Sequence, residues 1–175
     1  IVRNYTVYNE TDEGKTIKVV PRYMQYRGAR KIIERIRNDK AGGTLWHTQG
    51  SGKSLSMVFY AHLLQEALDS PTIVVMTDRI DLDDQLYSQF SKCAPFLRQT
   101  PVQAESKVHL KQLLEGRTAN GIIFTTMFKF EENEEPLSTR RNIVVMADEA
   151  HRGQYGMDER VIMSENDEGE TEARI

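Results

Sequence analysis

Three short apolar runs constrain this chain more than anything else in it. They are Thr72-Ile73-Val74-Val75-Met76-Thr77, Ile122-Ile123-Phe124-Thr125-Thr126 and Asn142-Ile143-Val144-Val145-Met146-Ala147. None alternates apolar with polar residues. A strand that is apolar on both sides needs cover on both faces, as in a parallel sheet between two layers of helices. The stretches between the runs agree. Residues 54–68 place Leu55, Val58, Phe59, His62 and Leu63 on one helical side. Residues 82–90 read as a second helix. Residues 106–114 read as a third, with Ser106 as N-cap and Gly116 past its end. Thr44-Leu45-Trp46-His47 reads as a further short strand, with Trp46 in the core. Strands alternating with helices predict an α/β fold, mostly parallel, with helices on both faces.

Ahead of this pattern, residues 1–21 read as an extended arm from a preceding region. Tyr5-Thr6-Val7-Tyr8 and Thr16-Ile17-Lys18-Val19-Val20 flank a turn-like Asn9 to Gly14, which predicts a β-hairpin. Pro21 ends it. A helix follows, with Met24, Ala29, Ile32, Ile33 and Ile36 on its apolar face, and stops at Gly42-Gly43. Residues 22–156 form the predicted lobe. Residues 157–175 show little periodicity and read as a loop or truncated end.

Composition sets outer limits. Of 175 residues, 39% are apolar and 28% charged, which is enough to build a core and excludes collagen-like and wholly disordered classes. No apolar run nears the roughly 18 residues of a spanning helix, so no membrane is expected. No signal peptide is visible, and the chain lacks an initiator Met, so it reads as a piece of a longer cytoplasmic protein. Cys93 is the only cysteine, which excludes an intrachain disulfide and fits an inert buried thiol in a reducing compartment. His62 and His109 read as structural or surface histidines. The net charge of −3 conceals two acidic clusters, Glu131 to Glu135 and Glu165 to Glu172. Outside their nine acids the chain has 17 acids against 23 bases, so a nucleic-acid surface is permitted.

The chemistry-bearing residues cluster in two places. His47-Thr48-Gln49-Gly50-Ser51-Gly52-Lys53-Ser54 lies between the expected strand and a helix, the context of a phosphate-binding loop. Glycines at 50 and 52 let backbone N–H groups curl around an anion, and the helix adds its positive N-terminus. Thr48, Gln49, Gly50, Ser51 and Gly52 would line the phosphates of ATP. Lys53 would reach the β- and γ-phosphates, and Ser54 would place a hydroxyl on Mg²⁺. His47 stands where the strict pattern has Gly. The second place is Asp148-Glu149-Ala150-His151, at the end of the third apolar run. In a parallel sheet that end shares an edge with the phosphate loop. Asp148 would then meet Mg²⁺, partly through water, and Glu149 would orient or deprotonate the attacking water.

Asp-Glu-Ala-His beside this loop resembles superfamily 2 helicases and translocases. More narrowly, three blocks resemble the restriction subunit of type I restriction-modification enzymes. They are Leu45 to Ser54, Thr77-Asp78-Arg79-Ile80-Asp81-Leu82-Asp83-Asp84-Gln85-Leu86, and Asp148-Glu149-Ala150-His151-Arg152-Gly153-Gln154-Tyr155-Gly156. The resemblance runs from about Arg22 to Gly156 and implies the first RecA-like P-loop lobe of an ATP-driven motor. It implies ATP and Mg²⁺ as cofactors, double-stranded DNA as track, and methylation and specificity subunits as partners. Arg22, Gln25 and Ala29 resemble a Q motif, in which Gln25 would read the adenine. Asp78, Arg79, Thr125, Thr126 and Lys129 fall where the family contacts a DNA strand. His151 and Gln154 would link nucleotide state to DNA contact. No second lobe is recognised after Gly156, and Asp12-Glu13-Gly14-Lys15 reads as a turn rather than a nuclease motif. Two alternatives stay open: another superfamily 2 motor, such as a type III restriction enzyme, or a non-catalytic module holding nucleotide as a structural ligand.

Overall fold

The computed structural model describes residues 4–10, 13–39, 41–48, 50–78, 80–127, 136–150, 162–165 and 171–174. The element order is β1 (Val7–Glu10), β2 (Thr16–Val19), α1 (Tyr23–Asp39), α2 (Lys53–Ala67), β3 (Thr72–Thr77), α3 (Ile80–Lys92), α4 (Ala94–Leu97), β4 (Val102–Gln103), α5 (Lys107–Glu115), β5 (Ile122–Thr126), β6 (Ile143–Ala147), β7 (Ile162–Glu165) and β8 (Thr171–Arg174).

Strands β4, β5, β3 and β6 form one parallel sheet in that order. Its two faces follow from the two-residue period of a strand. Ile73 and Val75 of β3, with Ile122 and Phe124 of β5, enter a core with α1, α2 and α3 residues such as Ala29, Ile33, Val58, Phe59, Leu86 and Phe90. Val74 and Ile123, one residue out of phase, meet Ala104, Leu110 and Leu114 on the other side. Phe124 is held edge-on by both Tyr87 and Phe90, with ring centroids 5.4 and 5.1 Å away. The expected α/β architecture is present. The expected hairpin is present too, with β1 and β2 antiparallel and Val7 paired to Val19. Val7 is fully buried, so the arm is anchored to the core.

Several local expectations need correction. Residues 44–47 form no strand, and Trp46 is 84% exposed rather than in the core. Among the described residues nothing pairs with that segment, so its β-prone composition has no ladder to join. Strand β6 is not covered on both faces: Val145 is 57% exposed. It pairs only with β3 among the described residues, and only its first residue, Ile143, packs against the Leu110–Leu114 cluster on that face. Met24 is exposed on α1, and Gln25 is buried in its place. The buried residues of α1 are Gln25, Gly28, Ala29 and Ile33, with Ile32 and Ile36 of the expected face partly buried against the same core. The stretch read as a terminal loop carries β7 and β8, paired antiparallel. The smaller readings at α5 hold: the Ser106 side chain accepts from the His109 N–H at 3.1 Å, and the helix ends at Gly116. Cys93 is buried, and burial pushes its thiol pKa up.

Candidate active site

The candidate phosphate loop is built on two left-handed glycines, Gly50 (φ 76°) and Gly52 (φ 84°). Between them Ser51 N–H donates to the Thr48 carbonyl at 3.2 Å, closing a turn. A Cβ at Gly52 would also sit 2.8 Å from Gln25 Nε2 and force that amide to move. Its carbonyl accepts three donors, namely Gln25 Nε2 (2.9 Å), Ser56 N–H (3.0 Å) and Ser56 Oγ (3.1 Å). In a planar trans peptide the N–H points opposite to the C=O. Anchoring the Gly52 carbonyl on α1 and α2 therefore aims the Lys53 N–H the other way. The first N–H groups of α2 have no partner within the helix, and its first turn has no acid to offset the positive end of the dipole.

Gln25 is thus a brace between α1 and the loop. Its Oε1 accepts from the Arg22 N–H at 2.8 Å, the helix-starting half of a capping box. One amide N–H and one oxygen lone pair remain, so the group keeps the capacity to meet a base edge. Sequence reasoning missed Ser56, whose hydroxyl makes one of those three bonds. Nothing but its place one turn beyond Gly52 signals it. His47, half-buried, has Nδ1 buried without a partner among the described residues, as do Ser51 Oγ and Tyr60 Oη. Burial pushes the Tyr60 phenol above its usual pKa, with Tyr5 adding to it.

The acidic pair reaches the same place from the sheet. Asp148 N–H donates to the Met76 carbonyl at 2.9 Å, continuing the β3–β6 ladder by one residue. Asp148 Oδ1 then accepts from the Glu149 N–H at 3.0 Å. Glu149 follows in a left-handed conformation (φ 47°). Such a residue costs of the order of 1–3 kcal/mol and persists where its surroundings hold it. Glu149 Oε1 forms an ion pair with Lys53 Nζ, 96 residues away in sequence. Both side chains are partly exposed, 36% for Lys53 and 24% for Glu149.

These residues suit a magnesium nucleotide. Unbonded N–H groups, the Lys53 ammonium and the half-buried Ser54 hydroxyl are what phosphate oxygens need. Among the described residues no three His, Cys, Asp or Glu gather into a metal cage. A lone hydroxyl with Asp148 fits a cation that takes most of its ligands from water and phosphate.

The DNA-contact expectations fare differently. Asp78 follows β3 on the same edge and is half-buried. Thr125 and Thr126 are buried at 0% and 5%, at the end of β5 where they pair with Met76 and Thr77 of β3, and Thr125 Oγ1 donates to the Thr126 carbonyl at 3.5 Å. They do not present hydroxyls to a nucleic acid here. Gln49, Arg79, Lys129, His151 and Gln154 lie outside the described residues.

Fold and loop together define a RecA-like P-loop ATPase lobe. Residues 24–168 match the SWI2/SNF2 ATPase family. The chain is 43% identical over 173 residues to the type I restriction enzyme HindI endonuclease subunit of Haemophilus influenzae, covering 91% of this chain and 16% of that protein. It is 38% identical over 155 residues to the putative type I restriction enzyme MjaIXP endonuclease subunit of Methanocaldococcus jannaschii, covering 79% and 14%. It is 30% identical over 156 residues to the C-terminal part of the putative MpnIIP endonuclease subunit of Mycoplasma pneumoniae, covering 78% and 74%. The chain belongs to the SWI2/SNF2 ATPase family, in the branch of the type I restriction endonuclease subunits. It spans only a small part of the length of the first two relatives.

Proposed function

We propose that residues 22–156 are the first motor lobe of a type I restriction subunit. The lobe binds and hydrolyses MgATP to move double-stranded DNA before that DNA is cut. The subunit works in the cytoplasm with methylation and specificity subunits. The observation that carries this reading is the meeting of Lys53 and Glu149 across 96 residues, at the edge where α2 begins and β6 ends.

The nucleotide supplies the phosphoanhydride whose cleavage drives the motor, and Mg²⁺ screens its charge. The chain's own residues do the rest. The N–H groups of Gly50, Gly52, Lys53 and Ser54 hold phosphate oxygens, with Thr48, Gln49 and Ser51 shaping the turn. The Lys53 ammonium exchanges the Glu149 carboxylate for phosphate oxygens. Glu149, released, accepts a proton from water or orients it for in-line attack. Ser54 and Asp148 would hold the metal, Asp148 partly through water. Gln25, with Arg22, keeps the loop registered on α1 and offers its spare amide valences to the base. His151 and Gln154 report the nucleotide state to the DNA face, where Asp78, Arg79 and Lys129 are the contact candidates. Phosphate contacts of that kind position a motor without reading sequence.

The test is direct. Lys53→Ala abolishes Mg-nucleotide binding in a calorimetric titration, and unchanged binding sinks the phosphate-loop assignment. Phosphate release by the full-length subunit, with and without double-stranded DNA, separates a motor from a module that merely stores nucleotide.

A further inference from the structure

The amino-terminal edge of the sheet, opposite the Lys53–Glu149 rim, carries a cavity of about 480 Å³. That lies within the ~300–1,000 Å³ range of small-molecule sites. Its walls are the last turns of α2, the turn after α4, and the segment leading into β5. The walls are rich in donors. Arg98 and Arg117 both line the cavity, and neither has an ion-pair partner among the described residues. Gln65 Nε2 is buried without a partner among them. A buried donor left unmet costs about 1–3 kcal/mol, so the wall is short of acceptors. The one carboxylate there, Glu66, accepts from Asn4 Nδ2 at 2.8 Å.

The backbone around the cavity is also unusual. Ser70 (φ 58°), Arg98 (φ 54°) and Asn120 (φ 59°) are non-glycine residues in the left-handed region, and all three line it. Strained residues of this kind persist only where surrounding structure holds them. Gln99 braces Asn120 and its neighbour: its Oε1 accepts from Gly121 N–H at 2.7 Å and its Nε2 donates to Asn120 Oδ1 at 3.2 Å, while Asn120 N–H donates to the Ser70 carbonyl at 2.7 Å. Arg117 lies directly over Gly121, where a Cβ would fall 2.5 Å from its Nη1. Two guanidiniums, Arg98 on a left-handed backbone and Arg117 packed over Gly121, thus line one cavity.

We propose that this cavity is a second ligand site, distinct from the nucleotide site, for a small polar molecule bearing a phosphate or carboxylate group. The Arg98 and Arg117 guanidiniums grip the anionic group through charge-assisted hydrogen bonds, and the Gln65 amide completes its donor set. Glu66 offers an acceptor to a hydroxyl or amine on the ligand body.

The experiment uses the full-length protein carrying Lys53→Ala, so that the phosphate loop does not respond to the probe. Inorganic phosphate and, separately, citrate are titrated while hydrogen exchange is followed by mass spectrometry. Saturable protection is expected in peptides spanning 97–101 and 117–122, from citrate alone if the site selects carboxylates and from phosphate alone if it selects phosphates. Arg98→Gly removes a guanidinium where φ favours glycine, so the fold is kept. It shifts the midpoint by about tenfold or more, as expected for losing a charge-assisted pair. Arg117→Gln does the same from the other wall. Absence of saturable protection with both probes overturns the proposal, and so does a midpoint unmoved by Arg98→Gly. The readout lies on the opposite edge from the phosphate loop, so failure of the ATPase reading leaves it interpretable.

Discussion

The two ends of one sheet are held by different chemistry. At the carboxyl-terminal edge, α2 and β6 meet through the Lys53–Glu149 pair, two flexible side chains open to water. Partly exposed pairs of this kind contribute only about 0–1 kcal/mol, so a phosphate can displace the carboxylate at little cost. At the amino-terminal edge a single half-buried residue, Arg140, ties four partners. It donates to the carbonyls of Leu114 (3.2 Å) and Arg117 (2.7 Å), to Thr72 Oγ1 (2.8 Å) and to Asn142 Oδ1 (3.0 Å). Thr72 passes the linkage on, donating to the Asn120 carbonyl at 2.8 Å. In the proposed function the first edge exchanges partners, whereas the second keeps them. The lesson is that hydrogen-bond density alone does not mark a site of chemistry. A replaceable partner does.

That contrast can be broken in order of effect size. Glu149→Gln keeps the shape and removes the base. Phosphate release by the full-length subunit falls about 10²–10⁴-fold while MgATP still binds, at least as tightly as before because the competing carboxylate charge is gone. Equal rates in variant and parent would assign the proton transfer elsewhere. Arg140→Ala leaves two carbonyls and two side chains short of a donor. It lowers stability by about 3 kcal/mol in denaturant titration, with the nucleotide dissociation constant unchanged. A weakened nucleotide affinity would show that the two edges are coupled. Gln25→Ala sits between these cases. It costs about 1–2 kcal/mol, because the Arg22 N–H and the Gly52 carbonyl each lose a partner, and it weakens MgATP binding as the loop loosens. Ser106→Ala, on α5 and remote from both edges, removes only the cap. It costs about 1 kcal/mol and leaves nucleotide binding alone.

Legibility followed the range of the interaction. Ser106 as a cap is a three-residue affair, and it stands where a local rule put it. The apolar runs at 72–77 and 122–126 demanded cover on both faces, and both received it. The run at 142–147 carries the same signal yet lies half-open, because cover depends on strand order rather than on composition. Trp46 misled for a related reason: an indole beside a β-prone run looks like core, but exposure is decided by what packs against it. Gln25 was read for its amide, and the resemblance placed it near the nucleotide. Only the packing of α1 on α2 brought that amide onto the Gly52 carbonyl. The resemblance placed the threonines of β5 at a DNA contact, and in the folded sheet they pair with β3 and are buried.

The order of residues alone determined the alternating α/β plan, the glycine-rich turn and the chemical identity of Lys53, Ser54, Asp148 and Glu149, because periodicity and motif spacing act over a few residues. Tertiary structure decided which distant groups meet: Lys53 with Glu149, Gln25 with Gly52, and two arginines around a cavity at the far edge. Those meetings depend on the order β4-β5-β3-β6 and on how the helices lie across it. Burial of apolar surface selects that arrangement as a whole, and no local window of residues encodes it.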